Sequence, residues 1–124
     1  MTTIVLWAEN LQDSAHFYSA LLSATLLDES SEFVRVHSSR NEILLHAVPM
    51  EYREGVAVPP VVRSNAVAKP VYQVKSIALA RESVQGLAGQ VFGAETEQTY
   101  GESRYCDGFD PEGNVFQLAE ATAH

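Results

Sequence analysis

Glu9 follows the apolar run TIVLWA, and Asp107 lies inside the run SRYCDGF. Both stretches are rich in strand formers. If those strands meet across a cavity, the two carboxylates could work as a general acid and a general base, which requires reach to a shared proton. The alternative is that each meets solvent or a ligand. His37 and His46 sit on neighbouring strand-like segments with Glu42 between them, and an antiparallel hairpin could bring the imidazoles together as metal ligands. Three convergent ligands are not evident, so two strand histidines with backbone or water partners are the simpler reading. Cys106 has Arg104 nearby, a neighbour that could lower its thiol pKa and make it a nucleophile. No histidine is placed as its base, and a small packed strand residue accounts for it better. There is no Gly-rich phosphate loop and no GxSxG, so nucleotide use and α/β-hydrolase chemistry have no support.

These residues depend on the elements that carry them. Residues 3–9 are expected to form a strand, followed by a helix over LQDSAHFYSALL that Asn10 or Asp13 can cap. Its apolar face holds Leu11, Ala15, Tyr18 and Leu22, with Leu21 at the margin and His16 off it. FVRVHS (33–38) and EILLHAV (42–48) are expected to pair as a hairpin. Residues 49–69 carry three prolines, a glycine and little periodicity, and read as a linker. Then PVYQVK (70–75) is a strand, Ser76 an N-cap, and IALARESVQGLAG a helix with Ile77, Ala80, Val84 and Leu87 inward and Gly89 as its terminator. SRYCDGF (103–109) and NVFQLAE (114–120) are strands around DPEG, whose residue types are those of a type I turn. Short extra strands fit near 25–29 and 91–98.

Each half thus reads strand–helix–strand–strand. An offset of 66 places Asn10 on Ser76, Leu11 on Ile77 and Leu21 on Leu87. A unit this small cannot bury its sheet alone, so two packed copies are expected: module 1 over about 1–48, the linker over about 49–69 and module 2 over about 70–121.

The bulk properties narrow the partners. The chain has 124 residues, 46% of them hydrophobic, which suits an ordered globular domain. Its net charge of -8 argues against nucleic acid and anionic membranes as partners and is compatible with a cationic or neutral ligand. With one cysteine no intrachain disulfide forms, and a reducing compartment fits. MTTIVLWAEN reads as a first strand and not a signal peptide, and no apolar run approaches the ~20 residues of a membrane span. The expected location is cytoplasmic.

ENLQDSAHFYSALL after the first strand, and DPEGNVFQLAE near the end, give the chain a resemblance to the glyoxalase, bleomycin-resistance and extradiol-dioxygenase superfamily, the vicinal oxygen chelate proteins. The glycine typical after the first helix's leucine is replaced by Ser23. The resemblance implies an α+β fold of two tandem βαβββ modules, forming a curled mixed sheet around a cavity with helices on the outer face. The metal enzymes of that family place a His on the first strand of each module and a Glu on the last. The corresponding positions here hold Thr3, Lys69 and Gln117, with Leu44 or Leu45 at the last strand of the first module, depending on register. None is a usual ligand for a divalent cation. The expectation is therefore a kept scaffold with no metal and no other cofactor.

Strand alternation places Thr3, Val5, Trp7 and Glu9, then Lys69, Val71, Gln73 and Lys75, and finally Val115, Gln117 and Ala119 on the cavity side. For 103–109, the small residues Cys106 and Gly108 suit the helix side, which leaves Tyr105, Asp107 and Phe109 for the cavity. Trp7, Tyr105 and Phe109 would then supply stacking surface, with Glu9 and Asp107 as anionic acceptors and Gln117 as an amide. The alternative is that Trp7 and Phe109 fill a core or a dimer interface. The expected function is a small-molecule binding protein resembling the bleomycin-resistance branch, a homodimer that sequesters a cationic or aromatic ligand. The other reading is a glyoxalase-like lyase, isomerase or dioxygenase with a displaced or absent metal.

Overall fold

A computed structural model describes residues 1–122. The first module runs β1 (Thr3–Ala8), α1 (Leu11–Leu22), β2 (Thr25–Leu27), β3 (Phe33–His37) and β4 (Glu42–Ala47). Its sheet has the order β1-β4-β3-β2, with β1 parallel to β4 and the other pairs antiparallel. Asn10 caps α1 by accepting from the Asp13 amide at 3.1 Å, and Ser23 ends it in the left-handed conformation at φ 49°. The inward face of α1 also includes Phe17, which is wholly buried and which the periodicity reading passed over.

After a single 3-10 turn at Met50–Tyr52, the chain from 53 to 70 has no strand or helix. The second module follows as β5 (Val71–Gln73), α2 (Ile77–Ser83), β6 (Gln90–Val91), β7 (Gln98–Tyr100), β8 (Ser103–Phe109) and β9 (Val115–Ala121). Here β5 is parallel to β9, β8 is antiparallel to β9, and β6 and β7 pair in turn along β8. The helix is shorter than the expected 77–89. It stops at Ser83, and Gly86 then turns the chain at φ +83°, a conformation that costs glycine little. Val84 and Leu87 still pack against the core from that turn.

Both sheets keep one face inward, and the two inward faces share one core. Phe17 and Tyr18 from α1 meet Tyr72 of β5 and Phe116 of β9, with ring centroids 5.8–6.4 Å apart across the modules. Each such buried aromatic contributes about 1.5–3 kcal/mol of apolar burial. Asn41 adds a polar joint. Its side-chain amide donates to the Gln73 carbonyl at 2.8 Å and accepts from the Gln73 amide at 3.0 Å, tying the start of β4 to the end of β5. The opposite, open faces of the two sheets are turned away from this core. The sheets are separate and neither closes on itself. Among the described residues no helix is long and apolar enough to cross a membrane.

Candidate functional site

Strand alternation fixes the open face of the first sheet. Ile4, Leu6 and Ala8 point inward on β1, so Thr3, Val5 and Trp7 point out, and Val5 and Trp7 are 54% and 56% exposed. The register places Trp7 beside His46, and His46 beside Phe33. Their rings form a strip across three strands, with centroids 4.9 Å and 5.0 Å apart. The other end of the same face is polar. Glu42 accepts from the Thr3 hydroxyl at 2.9 Å and from the Arg35 guanidinium at 2.8 Å, and lies 3.0 Å from His37 Nδ1. Arg35 chiefly, then Thr3 and His37, hold the Glu42 carboxyl down to about 2.

On the second sheet Cys106 and Gly108 take the inward side of β8. A Cβ on Gly108 would strike the Phe116 ring, so close packing requires a glycine there. Tyr105, Asp107 and Phe109 take the open side. The register sets Val71 beside Gln117, and Gln117 beside Asp107. The Asp107 carboxylate then collects two donors, Lys69 Nζ at 3.0 Å and Gln117 Nε2 at 3.1 Å. Tyr105, Asp107 and Gln117, with Phe92 and Gln98 beside them, line a shallow hollow of about 150 Å³.

The remaining sequence candidates are dispersed. Glu9 does not meet Asp107. Its carboxylate accepts from the Glu54 amide at 3.1 Å and the Gly55 amide at 2.8 Å, and so holds the linker at a separate concavity. His37 and His46 lie at opposite ends of the β3–β4 hairpin, opposite Glu42 and Phe33, so the hairpin does not bring them together. Among the described residues no three His, Cys, Asp or Glu side chains are grouped to hold a metal ion. Cys106 is 2% exposed and its thiol faces the Phe92 carbonyl at 3.3 Å, enclosed and without a base. The Lys69–Asp107 pair and the Glu42 cluster are what the sequence reading missed. The signal for the first was available, since alternation already placed Lys69, Asp107 and Gln117 on one side.

No known sequence family matches the chain, and no curated protein matches it. Solved structures do. A glyoxalase/bleomycin resistance protein from Albidiferax ferrireducens T118 superposes with a TM-score of 0.69 at 13% identity, over 97% of each chain. The fosfomycin resistance protein FosX from Listeria monocytogenes gives a TM-score of 0.66 at 15% identity, over 98% of this chain and 91% of that one. Lactoylglutathione lyase from Agrobacterium tumefaciens gives 0.61 at 19% identity, over 98% and 93%. The chain has the glyoxalase-like fold.

The strand register decides between Leu44 and Leu45 at the positions where the sequence resemblance implies metal ligands. Val5 pairs with Leu44 as Val71 pairs with Gln117, so Leu44 is the counterpart of Gln117, and Leu45 is buried on the other face. Thr3, Leu44, Lys69 and Gln117 therefore occupy them. A hydroxyl, an alkyl group, an ammonium and an amide do not make a divalent-cation site, and the ammonium opposes one. At that place Lys69 supplies the positive charge, and Asp107 accepts from both Lys69 and Gln117.

Proposed function

We propose that the chain is a small-molecule binding protein, holding a planar aromatic ligand against the open faces of its two sheets in a metal-free cavity that two copies complete. The observation that carries this reading is the Lys69–Asp107–Gln117 cluster. Lys69 and Gln117 stand at positions where the resemblance implies metal ligands, both donate to Asp107, and amide and carboxylate edges remain on the face that carries Tyr105 and Phe109. Trp7, His46 and Phe33 supply a second aromatic wall. Resistance proteins share the fold, and sequestration of a small molecule fits such walls.

Two features support a homodimer. The inward faces of both sheets are spent on one core, so a cavity bounded by both open faces needs a second chain. Val5, Trp7 and Val71 also leave apolar surface on those faces, the kind that marks interaction sites. The Lys69 ammonium bears on the ligand's charge. Asp107 already has an ammonium partner, so an aromatic ligand is favoured over a cationic one. The Lys69–Asp107 pair has side chains 42% and 43% exposed and is worth only about 0–1 kcal/mol, so it can rearrange around a ligand.

The test titrates the fluorescence of the single tryptophan with quinoline, beside metal analysis of protein purified without chelator. Saturable quenching that is lost in Tyr105→Ala, from metal-free protein, is the expected result. Stoichiometric metal in the protein, or quenching that never saturates, would overturn the reading.

A further inference from the structure

A concavity of about 560 Å³ lies apart from both the Trp7 strip and the Asp107 hollow, with His37 at its edge. It runs along the seam between the modules, from the end of α1 and the β3–β4 turn to the end of β5 and the start of α2. That volume is in the range of about 300–1,000 Å³ used by small-molecule sites. Its apolar lining comes from the buried Leu21 and Leu22 and from Leu79, which is 64% exposed, and Arg40 and Lys75 line it with serine hydroxyls. No carboxylate lines it, although the chain has 16 acidic residues against 8 basic ones. Among the described residues Arg35, Lys69, Arg81 and Arg104 pair with carboxylates, Arg53 bonds a carbonyl, and Arg63 lies at the separate concavity beside the linker without an ion pair. Arg40 and Lys75 have no ion-pair partner there. One comes from each module, and the fold brings them to the same groove.

We infer that this groove is a second ligand site, for a small amphipathic anion with an apolar tail and a carboxylate or phosphate head. The tail covers the leucines and the head meets Arg40 and Lys75, in a local field opposite in sign to that of the whole chain. The site shares no lining residue with the Asp107 hollow, so it stands whether or not that hollow binds a ligand.

The experiment follows amide chemical shifts of isotope-labelled full chain during titration with octanoate, octyl phosphate and, as neutral control, 1-octanol. The expected result is saturable movement of Ser38, Ser39, Lys75, Ser76 and Leu79 with at least one anion, whichever binds more tightly naming the head group. Arg40→Gln/Lys75→Gln should weaken that anion about tenfold and leave 1-octanol unchanged. Both side chains are exposed, and the variant's own amide spectrum reports whether it is folded. Absence of saturable shifts at these residues with either anion, or an anion affinity untouched by the double substitution in folded protein, would overturn the inference.

Discussion

The phenol of Tyr18 donates to the carboxylate of Asp110, 92 residues further along the chain, at 2.8 Å, and both groups are buried. Asp110 opens the turn between β8 and β9. It also accepts from the Glu112 amide at 2.9 Å and the Asn114 amide at 3.0 Å, which shapes the turn. Glu112 in the same turn reaches back to the first module and accepts from the Glu9 and Asn10 amides, both at 2.9 Å, just ahead of α1. Gly113 takes φ +84°, and a Cβ there would overlap the Val61 carbonyl of the linker. DPEGN is therefore a joint between the modules. It has a structural reason to be present that is independent of any metal.

That joint gives the first prediction. Tyr18→Phe leaves a buried carboxylate short of one donor and should cost about 1–3 kcal/mol. Asp110→Ala should cost more, because it strands the phenol and two backbone amides together, while Asp110→Asn keeps an acceptor and should fall between. Burial first, and then the Asp110 charge, push the Tyr18 phenol well above its ordinary pKa, so it stays a donor across the working pH range. Urea denaturation measures the three losses. A Tyr18→Phe variant as stable as the parent would show that the joint carries no net energy.

A second prediction concerns charge at the open face of the second sheet. Lys69→Met removes the ammonium that compensates Asp107. If a ligand lies against this face, the affinity for N-methylquinolinium should rise about three- to tenfold relative to neutral quinoline, because the pair is exposed and its worth is small. Trp7 fluorescence reads both affinities. An equal change for the two compounds would mean that Asp107 does not face the ligand.

A third prediction follows from Glu42. Its folded carboxyl is held at about 2, against an ordinary value of 4.5, first by Arg35 and then by Thr3 and His37. A depressed carboxylate pKa adds stability that is fully present above about pH 4.5 and is lost as pH falls through 2. The melting temperature should therefore drop on acidification over that window, and Glu42→Gln should flatten the drop. Parallel profiles for parent and variant would place the acid sensitivity in other groups.

How far the sequence reaches is visible in particular residues. The alternation in TIVLWA and SRYCDGF places Trp7 and Asp107 on their faces, because a period of two leaves a strand only one choice once its buried partners are known. The offset of 66 pairs Thr3 with Lys69, and the DPEGN run marks its turn. What the sequence does not reveal is pairing at a distance. Glu9 looks like a cavity acid until the linker amides at 54 and 55 arrive, and a linker with no periodicity gives no sign of where it runs. His37 and His46 look like neighbours until the hairpin register sets them at opposite ends. The end of α2 at Ser83 is not legible in the sequence because Val84 and Leu87 keep the helical spacing while lying in the turn that Gly86 completes.

The last prediction is assembly. Val5, Trp7 and Val71 are 54%, 56% and 47% exposed on faces whose neighbouring strands are fully paired, so none of the three is needed to hold its own sheet. If those faces meet in a homodimer, the apolar area is removed from water there, and a charge placed in it must be desolvated without a partner. Val5→Asp and Trp7→Asp should each shift the protein from twice the chain mass to the chain mass in light scattering, with the circular dichroism spectrum unchanged because the core is untouched. Loss of the paired form should also abolish saturable quinoline binding in the Val5→Asp variant, which keeps Trp7 as its reporter. A parent protein that is monomeric at high micromolar concentration would end the prediction, and so would a Val5→Asp dimer as stable as the parent.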